Sequence, residues 1–155
     1  MAGRTVAETS EFDLIGSITA GLPTGPAVRV GPGDDCAVFG ADGDVAVSTD
    51  TMVENVHFRR TWSAPEDVGR KAVAAAVADL EAMAARPIGV VLALTIPAEL
   101  EISWVEGFTT GVREECALSG ALLLGGDITR GRDITATATV FGDLQGRPPV
   151  TRSGA

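Results

Sequence analysis

Apolar and polar positions along the chain alternate between a helical period and a strand period. Ser10 opens a helical stretch in which Phe12, Ile15 and Ile18 share an inward side, and Asp13, three residues on, makes a pattern resembling a capping box. Val28–Val30, Ala37–Phe39 and Val45–Asp50 are short apolar runs between Gly, Pro and Asp turns, and predict strands. Ser63 with Glu66 forms a second capping box, with Pro65 in the first turn. This predicts a helix from about Pro65 to Ala85, stopped before Pro87. Ile88–Ile96 is apolar throughout and predicts a central strand. Ser103 with Glu106 caps a third helix that ends near Ser119-Gly120, and Ala121–Leu124 predicts another buried strand. Across Asp133–Phe141, Ile134, Ala136, Ala138 and Val140 alternate with Thr135, Thr137 and Thr139, which predicts a strand with two unlike faces. The resulting order of helix, three strands, helix, strand, helix and two strands suits an α+β or α/β layer, with helices on one face of a sheet. The first eight residues are expected to be loose, and the last stretch, GRPPVTRSGA, stops in polar residues without closing an element.

Composition narrows the function. The chain has 155 residues with a net charge of −9, which bounds it to one domain and argues against a nucleic-acid partner. An anionic ligand would need something other than net charge to attract it, and divalent cations are the obvious candidate. Lys71 is the sole lysine and sits within a helical pattern, so a Walker A loop is absent, as are the motifs of protein kinases. Cys36 and Cys116 have neither metal nor redox spacing and read as small buried thiols in a reducing compartment. No signal peptide and no apolar run of bilayer length occurs. The chain therefore reads as soluble and cytoplasmic, without a membrane partner.

The carboxylates carry the candidate chemistry. At about 100° per residue, Asp79 falls on the bearing of Val68 and Ala72, the side expected to pack inward. A carboxylate there either hydrogen-bonds a loop amide or an arginine, or ligates a metal. Gly33-Asp34-Asp35 follows a Gly-Pro turn, while Ser48-Thr49-Asp50 and Gly125-Gly126-Asp127 each close a strand. Singly, each is an ordinary turn. Together with Asp79 they offer hard oxygen ligands of the kind Mg²⁺ prefers, beside glycines that let backbone approach a phosphate. His57, the single histidine, is either a polar rim residue or a donor to a phosphate, and Arg152 is either a surface arginine or a phosphate clamp.

At these residues the sequence resembles thiamine-monophosphate kinases, within the superfamily shared with aminoimidazole ribonucleotide synthetase. The resemblance runs through Glu11–Ile15, Gly33–Ala37, Ser48–Val53 with Asn55 and His57-Phe58, Asp67–Ala72, Ala78–Met83, Gly125–Asp127 and Thr151–Ala155, in order. It implies an α+β fold, a sheet of mixed strands with helices on one face, whose sheet pairs with a second copy in a homodimer near the active site. It implies Mg²⁺-dependent transfer of the ATP γ-phosphate to thiamine phosphate, giving thiamine diphosphate. It assigns several Mg²⁺ ions to Asp35, Ser48, Thr49, Asp50, Asp79 and Asp127, ATP to Gly126, Asp127 and Arg152, and thiamine phosphate to His57. The acceptor is a phosphate monoester, largely dianionic at neutral pH, so no strong general base and no covalent phospho-enzyme are expected. Members of this family continue with a second domain. The resemblance thus divides the chain into a flexible 1–9, an ATP/Mg-binding N-terminal domain over 10–147, and the start of a linker over 148–155 to a missing C-terminal domain. Alone, the chain is expected to have little or no kinase activity. The competing expectations are another ATP-dependent synthetase of the superfamily and a non-catalytic Mg²⁺/nucleotide-binding dimerisation module.

Overall fold

In the computed structural model, which describes residues 3–154, Ser10 caps helix α1 (Glu11–Thr19) as expected: its side chain accepts the Asp13 N–H at 3.1 Å. The helix is rotated from the expected bearing, however. Leu14 is its buried residue, Ile15 and Ile18 are half-buried, and Phe12 is 87% exposed. Arg113 from a later helix donates to the carbonyls of Ile18 and Ala20, both at 2.8 Å, and so caps the C-terminal end of α1. Strands β1 (Val28–Val30) and β2 (Val38–Phe39) then form a small antiparallel hairpin that leans on the main sheet through Phe39 and Phe141, whose rings lie 5.3 Å apart.

The main sheet contains β3 (Val45–Val53), β4 (Arg86–Ile96), β5 (Leu122–Arg130) and β6 (Thr135–Asp143), in the order β3-β6-β4-β5. β6 is antiparallel to both β3 and β4, and β5 is parallel to β4, so the sheet is mixed. Helices α2 (Pro65–Ala82) and α3 (Ile102–Ser119) both cover one face, as expected for this α+β layer. They touch backbone to backbone. A Cβ on Gly69 would stand 2.1 Å from the Phe108 carbonyl oxygen, and one on Gly111 1.9 Å from that of Glu66. The core between helices and sheet includes Val73, Leu80, Val90, Ile96, Phe108 and Val140, each contributing roughly 1.5–3 kcal/mol by burial. Gly120 ends α3 with φ 76°, a left-handed conformation that suits glycine.

Several boundaries differ from the sequence reading for identifiable reasons. α2 and α3 have Ala64 and Glu101 as N-caps with no side-chain cap bond, so neither the Ser63/Glu66 nor the Ser103/Glu106 box forms. Pro65 alone marks the α2 start. Two motifs expected to close strands lie inside them. β3 runs through Ser48-Thr49-Asp50 because its ladder with β6 continues to Val53↔Thr135. β5 runs through Gly125-Gly126-Asp127 because its parallel partner β4 supplies bonds as far as Ile96↔Arg130. A bulge between Leu123 and Gly125 absorbs one residue there, and a Cβ on Gly126 would stand 2.0 Å from the Leu92 carbonyl oxygen. Cys116 is buried, and its thiol pKa is pushed up to about 12 by desolvation. Cys36 is exposed, not buried as expected.

The expected loose N-terminus is tied down where it is described. Val6 is buried, its N–H bonds the Leu100 carbonyl at 2.9 Å, and Ala7 bonds Ala98 at 2.8 Å. Met1 and Ala2 of that stretch, and Ala155 at the other end, lie outside the described residues. The C-terminal segment passes the end of α2, with Arg147 donating to the Ala84 carbonyl at 3.1 Å and Val150 N–H to Met83 at 3.3 Å. Among the described residues, no helix is long and apolar enough to cross a membrane.

Candidate active site

Strand β3 delivers Ser48, Thr49 and Asp50 in succession, and strand alternation sends them to opposite faces. Ser48 faces α2 and donates its hydroxyl to Asp79 Oδ2 at 2.6 Å. Asp50, two residues on, shares that face, and its Oδ1 accepts the Thr51 N–H at 2.8 Å. Thr49 faces the other way and bonds Thr139 Oγ1 at 3.1 Å, as Thr51 bonds Thr137 at 2.9 Å. Asp79 itself is exposed, which corrects its inward placement. The buried arc of α2 holds Val68, Gly69, Ala72, Val73, Ala76, Val77 and Leu80, because the helix packs against α3 as well as the sheet. That second contact shifts the buried centre round the helix and leaves Asp79 at its margin, against the β3 edge.

The other candidates stand apart in one chain. Asp127 lies on β5, the opposite edge strand, paired in register with Ala93 and exposed. Two strands separate it from β3, a distance of about 14 Å at the usual strand spacing. Neighbouring Gly126 borders a small apolar cavity of about 60 Å³ between α1 and the sheet, lined by Ile15, Ile18, Leu92 and Phe108. Asp35 sits in the exposed β1–β2 connection after Gly33, whose φ of 118° suits glycine, and its N–H donates to Asp34 Oδ1 at 2.9 Å. Among the described residues, no three His, Cys, Asp or Glu side chains converge on one point that could hold a metal. Ser48, Asp50 and Asp79 are nevertheless exposed or half-exposed hard oxygen donors on one edge, a donor chemistry that fits Mg²⁺.

His57 follows β3 in the turn that leads to α2. Its Nδ1 accepts the Val53 N–H at 3.1 Å, which places the proton of the neutral ring on Nε2, the outward nitrogen. Lys71, the single lysine, donates to the His57 carbonyl at 2.9 Å and fixes the turn from α2. Asn55, with φ 66°, supplies the left-handed residue of that turn. Arg152 is exposed within a turn closed by Gly154 N–H to the Thr151 carbonyl at 2.8 Å. It follows the C-terminal end of β6, whereas His57 follows that of β3; the two strands are antiparallel, so these residues occupy opposite ends of the sheet. The sequence reading passed over Arg59, Trp62 and the Lys71 anchor. The spacing of Arg59 and Trp62, three apart before a helix, was the available signal.

Residues 33–144 match the family described as AIR synthase related protein, N-terminal domain. A thiamine-monophosphate kinase of Mycobacterium tuberculosis is 43% identical over 152 residues, covering 97% of this chain and 46% of its own. The chain thus spans less than half the length of this curated relative. The thiamine-monophosphate kinase structure from Stenotrophomonas maltophilia superposes with a TM-score of 0.74 at 31% identity, covering 96% of this chain and 46% of that one. A structure described as AaThiL complexed with AMPPCP and TMP gives a TM-score of 0.64 at 34% identity, over 70% of this chain and 35% of its own.

Proposed function

We propose, from the premise that the chain belongs to the AIR synthase related protein family through its N-terminal domain, that it acts in a thiamine-phosphate kinase. The reaction is Mg²⁺-dependent transfer of the γ-phosphate of ATP to thiamine phosphate, giving thiamine diphosphate. The observation that carries this reading is 43% identity to a thiamine-monophosphate kinase over 97% of the chain. A related structure is named as a complex with AMPPCP and TMP, which supports a nucleotide and a phosphorylated acceptor as the two substrates.

In this reading Asp35, Ser48, Thr49, Asp50, Asp79 and Asp127 hold several Mg²⁺ ions, Gly126, Asp127 and Arg152 hold ATP, and His57 Nε2–H meets the phosphate of thiamine phosphate. Bound Mg²⁺ supplies charge neutralisation and alignment for two polyanions. The acceptor oxygen is already largely deprotonated and attacks in line, so no side chain serves as base and the transferred phosphorus inverts. A homodimer completes the site. The face of the sheet away from the helices is open, and pairing two such faces into a closed barrel brings the β3 edge of one copy beside the β5 edge of the other. Thr49, which shares the open face with Asp127, would then lie nearest Asp127 of the partner subunit, with Ser48, Asp50 and Asp79 on the other side of the same β3 edge.

Thermal melting of the 155-residue chain tests the substrates. With Mg²⁺ and a non-hydrolysable ATP analogue present, thiamine phosphate at about 100 times its dissociation constant should add about 2.7 kcal/mol of stability. Protection by the nucleotide but not by thiamine phosphate would instead indicate a synthetase of the same superfamily. Protection by neither would contradict the kinase reading.

A further inference from the structure

The β3–α2 connection, residues 54–64, displays more than the proposed site uses. Its frame is rigidly built. Asn55 N–H bonds the Phe58 carbonyl at 2.8 Å, and the buried Glu54 takes Arg60 Nε at 2.6 Å. Phe58 is buried beside Trp104, with ring centroids 6.5 Å apart, and Lys71 pins the His57 carbonyl. On this frame Trp62 stands 73% exposed, with the Arg59 guanidinium 4.3 Å from its ring centroid. A guanidinium carbon held over an indole face is attracted by the ring's π electrons, and that contact uses none of its N–H donors. Other arginines already have acceptors: Arg60 has Glu54, Arg86 has Asp143, Arg113 has the carbonyls ending α1 and Arg147 has the Ala84 carbonyl. Among the described residues, the Arg59 side chain has orientation without an acceptor.

We infer that Arg59 and Trp62 form a recognition platform for thiamine phosphate, which rests on the kinase reading above and extends it to substrate selection. Arg59 donates forked N–H groups to the phosphate, and the free face of Trp62 stacks against a heteroaromatic ring of the same molecule. His57, on the same connection, adds its Nε2–H. The chemistry is complementary to this substrate class, a flat ring system joined to a dianion. A cation held ready on aromatic support also answers a general problem of this chain, whose net charge of −9 repels an anionic acceptor.

The test measures dissociation constants of the full chain for thiamine phosphate, unphosphorylated thiamine and a non-hydrolysable ATP analogue. The variants are Arg59→Ala, Trp62→Ala and Trp62→Phe, each first matched to the parent in near-ultraviolet circular dichroism. Arg59→Ala should weaken thiamine phosphate about tenfold, one charge-assisted hydrogen-bonding group, and leave thiamine unchanged. Trp62→Ala should weaken both thiamine compounds alike, and Trp62→Phe should restore most of the loss. Nucleotide affinity should not move in any of them. Parental affinity for thiamine phosphate in both alanine variants would overturn the platform while leaving the kinase reading intact. No binding of thiamine phosphate by the parent chain would overturn both.

Discussion

The two faces of the four-stranded sheet use the same strands for opposite ends. On the helix side, β6 presents Ala136, Ala138, Val140 and Gly142, all buried, because α2 comes close: a Cβ on Gly142 would stand 3.1 Å from the Leu80 side chain. On the other side the same strand presents Thr135, Thr137, Thr139 and Phe141, half-buried, beside Thr49, Thr51 and the exposed Val45 and Val47 of β3. The helix side is filled to contact and holds the chain together. The open side is covered only at one end, where Phe39 of the β1–β2 hairpin meets Phe141, and is otherwise marked by paired threonines; in the proposed reading it is where a second copy closes the site. Stability and assembly are thereby separable along one strand.

The largest effect that sharpens this contrast lies on the packed side. Gly111→Ala drives a methyl into the Glu66 backbone and should cost about 3 kcal/mol or more, read as a loss of folded signal in urea titration. On the open side, Thr137→Glu should do the reverse. Sedimentation should show association weakened about a hundredfold by facing like charges, while unfolding of the separate chain changes by at most about 1 kcal/mol. Equal damage to folding from both substitutions would contradict this division of roles between the two faces.

A smaller effect concerns the buried end of β6. The backbone N–H groups of Asp42 and Gln145 and the Arg86 guanidinium hold the Asp143 carboxyl below the usual carboxylate range. A depressed folded-state pKa means that its stabilisation is fully present above the unfolded value of about 3.9 and is lost as pH falls through the folded value. Asp143→Asn should therefore lower the melting temperature at neutral pH, and the gap from the parent should close in acid. A gap that widens in acid would contradict the sign. Smallest of all, Ser48→Ala removes one half-exposed hydroxyl bond to Asp79 and should change stability by no more than about 1 kcal/mol.

The sequence disclosed the elements better than their joins. Alternation in Asp133–Phe141 found the two-faced strand, and the continuous run Ile88–Ile96 found an interior one. What it could not disclose was the insertion of β6 between β3 and β4, since that pairing joins residues far apart in the chain. The consequence reached the site. Ser48-Thr49-Asp50 and Gly125-Gly126-Asp127 looked like turns at strand ends, where ligands could converge, yet each lies inside a ladder on an opposite edge. Asp79 was misjudged for a similar reason. A helical bearing counts one packing partner, and α2 has two. His57 was legible as a candidate, but its fixed tautomer needed the Val53 N–H, which only the folded turn supplies.

In the proposed reading, the oxygen ligands divided between β3 and β5 in one chain serve one site across two copies. Asp79→Asn and Asp127→Asn each disable both sites of a homodimer in this account. Equimolar mixing after reversible unfolding should place both lesions in one site of each mixed dimer and leave the other intact. Equilibrium titration with a Mg²⁺-bound ATP analogue should then recover about a quarter of the parental binding capacity, half the dimers being mixed and each carrying one whole site. Recovery of no capacity beyond that of the separate variants would contradict the claim.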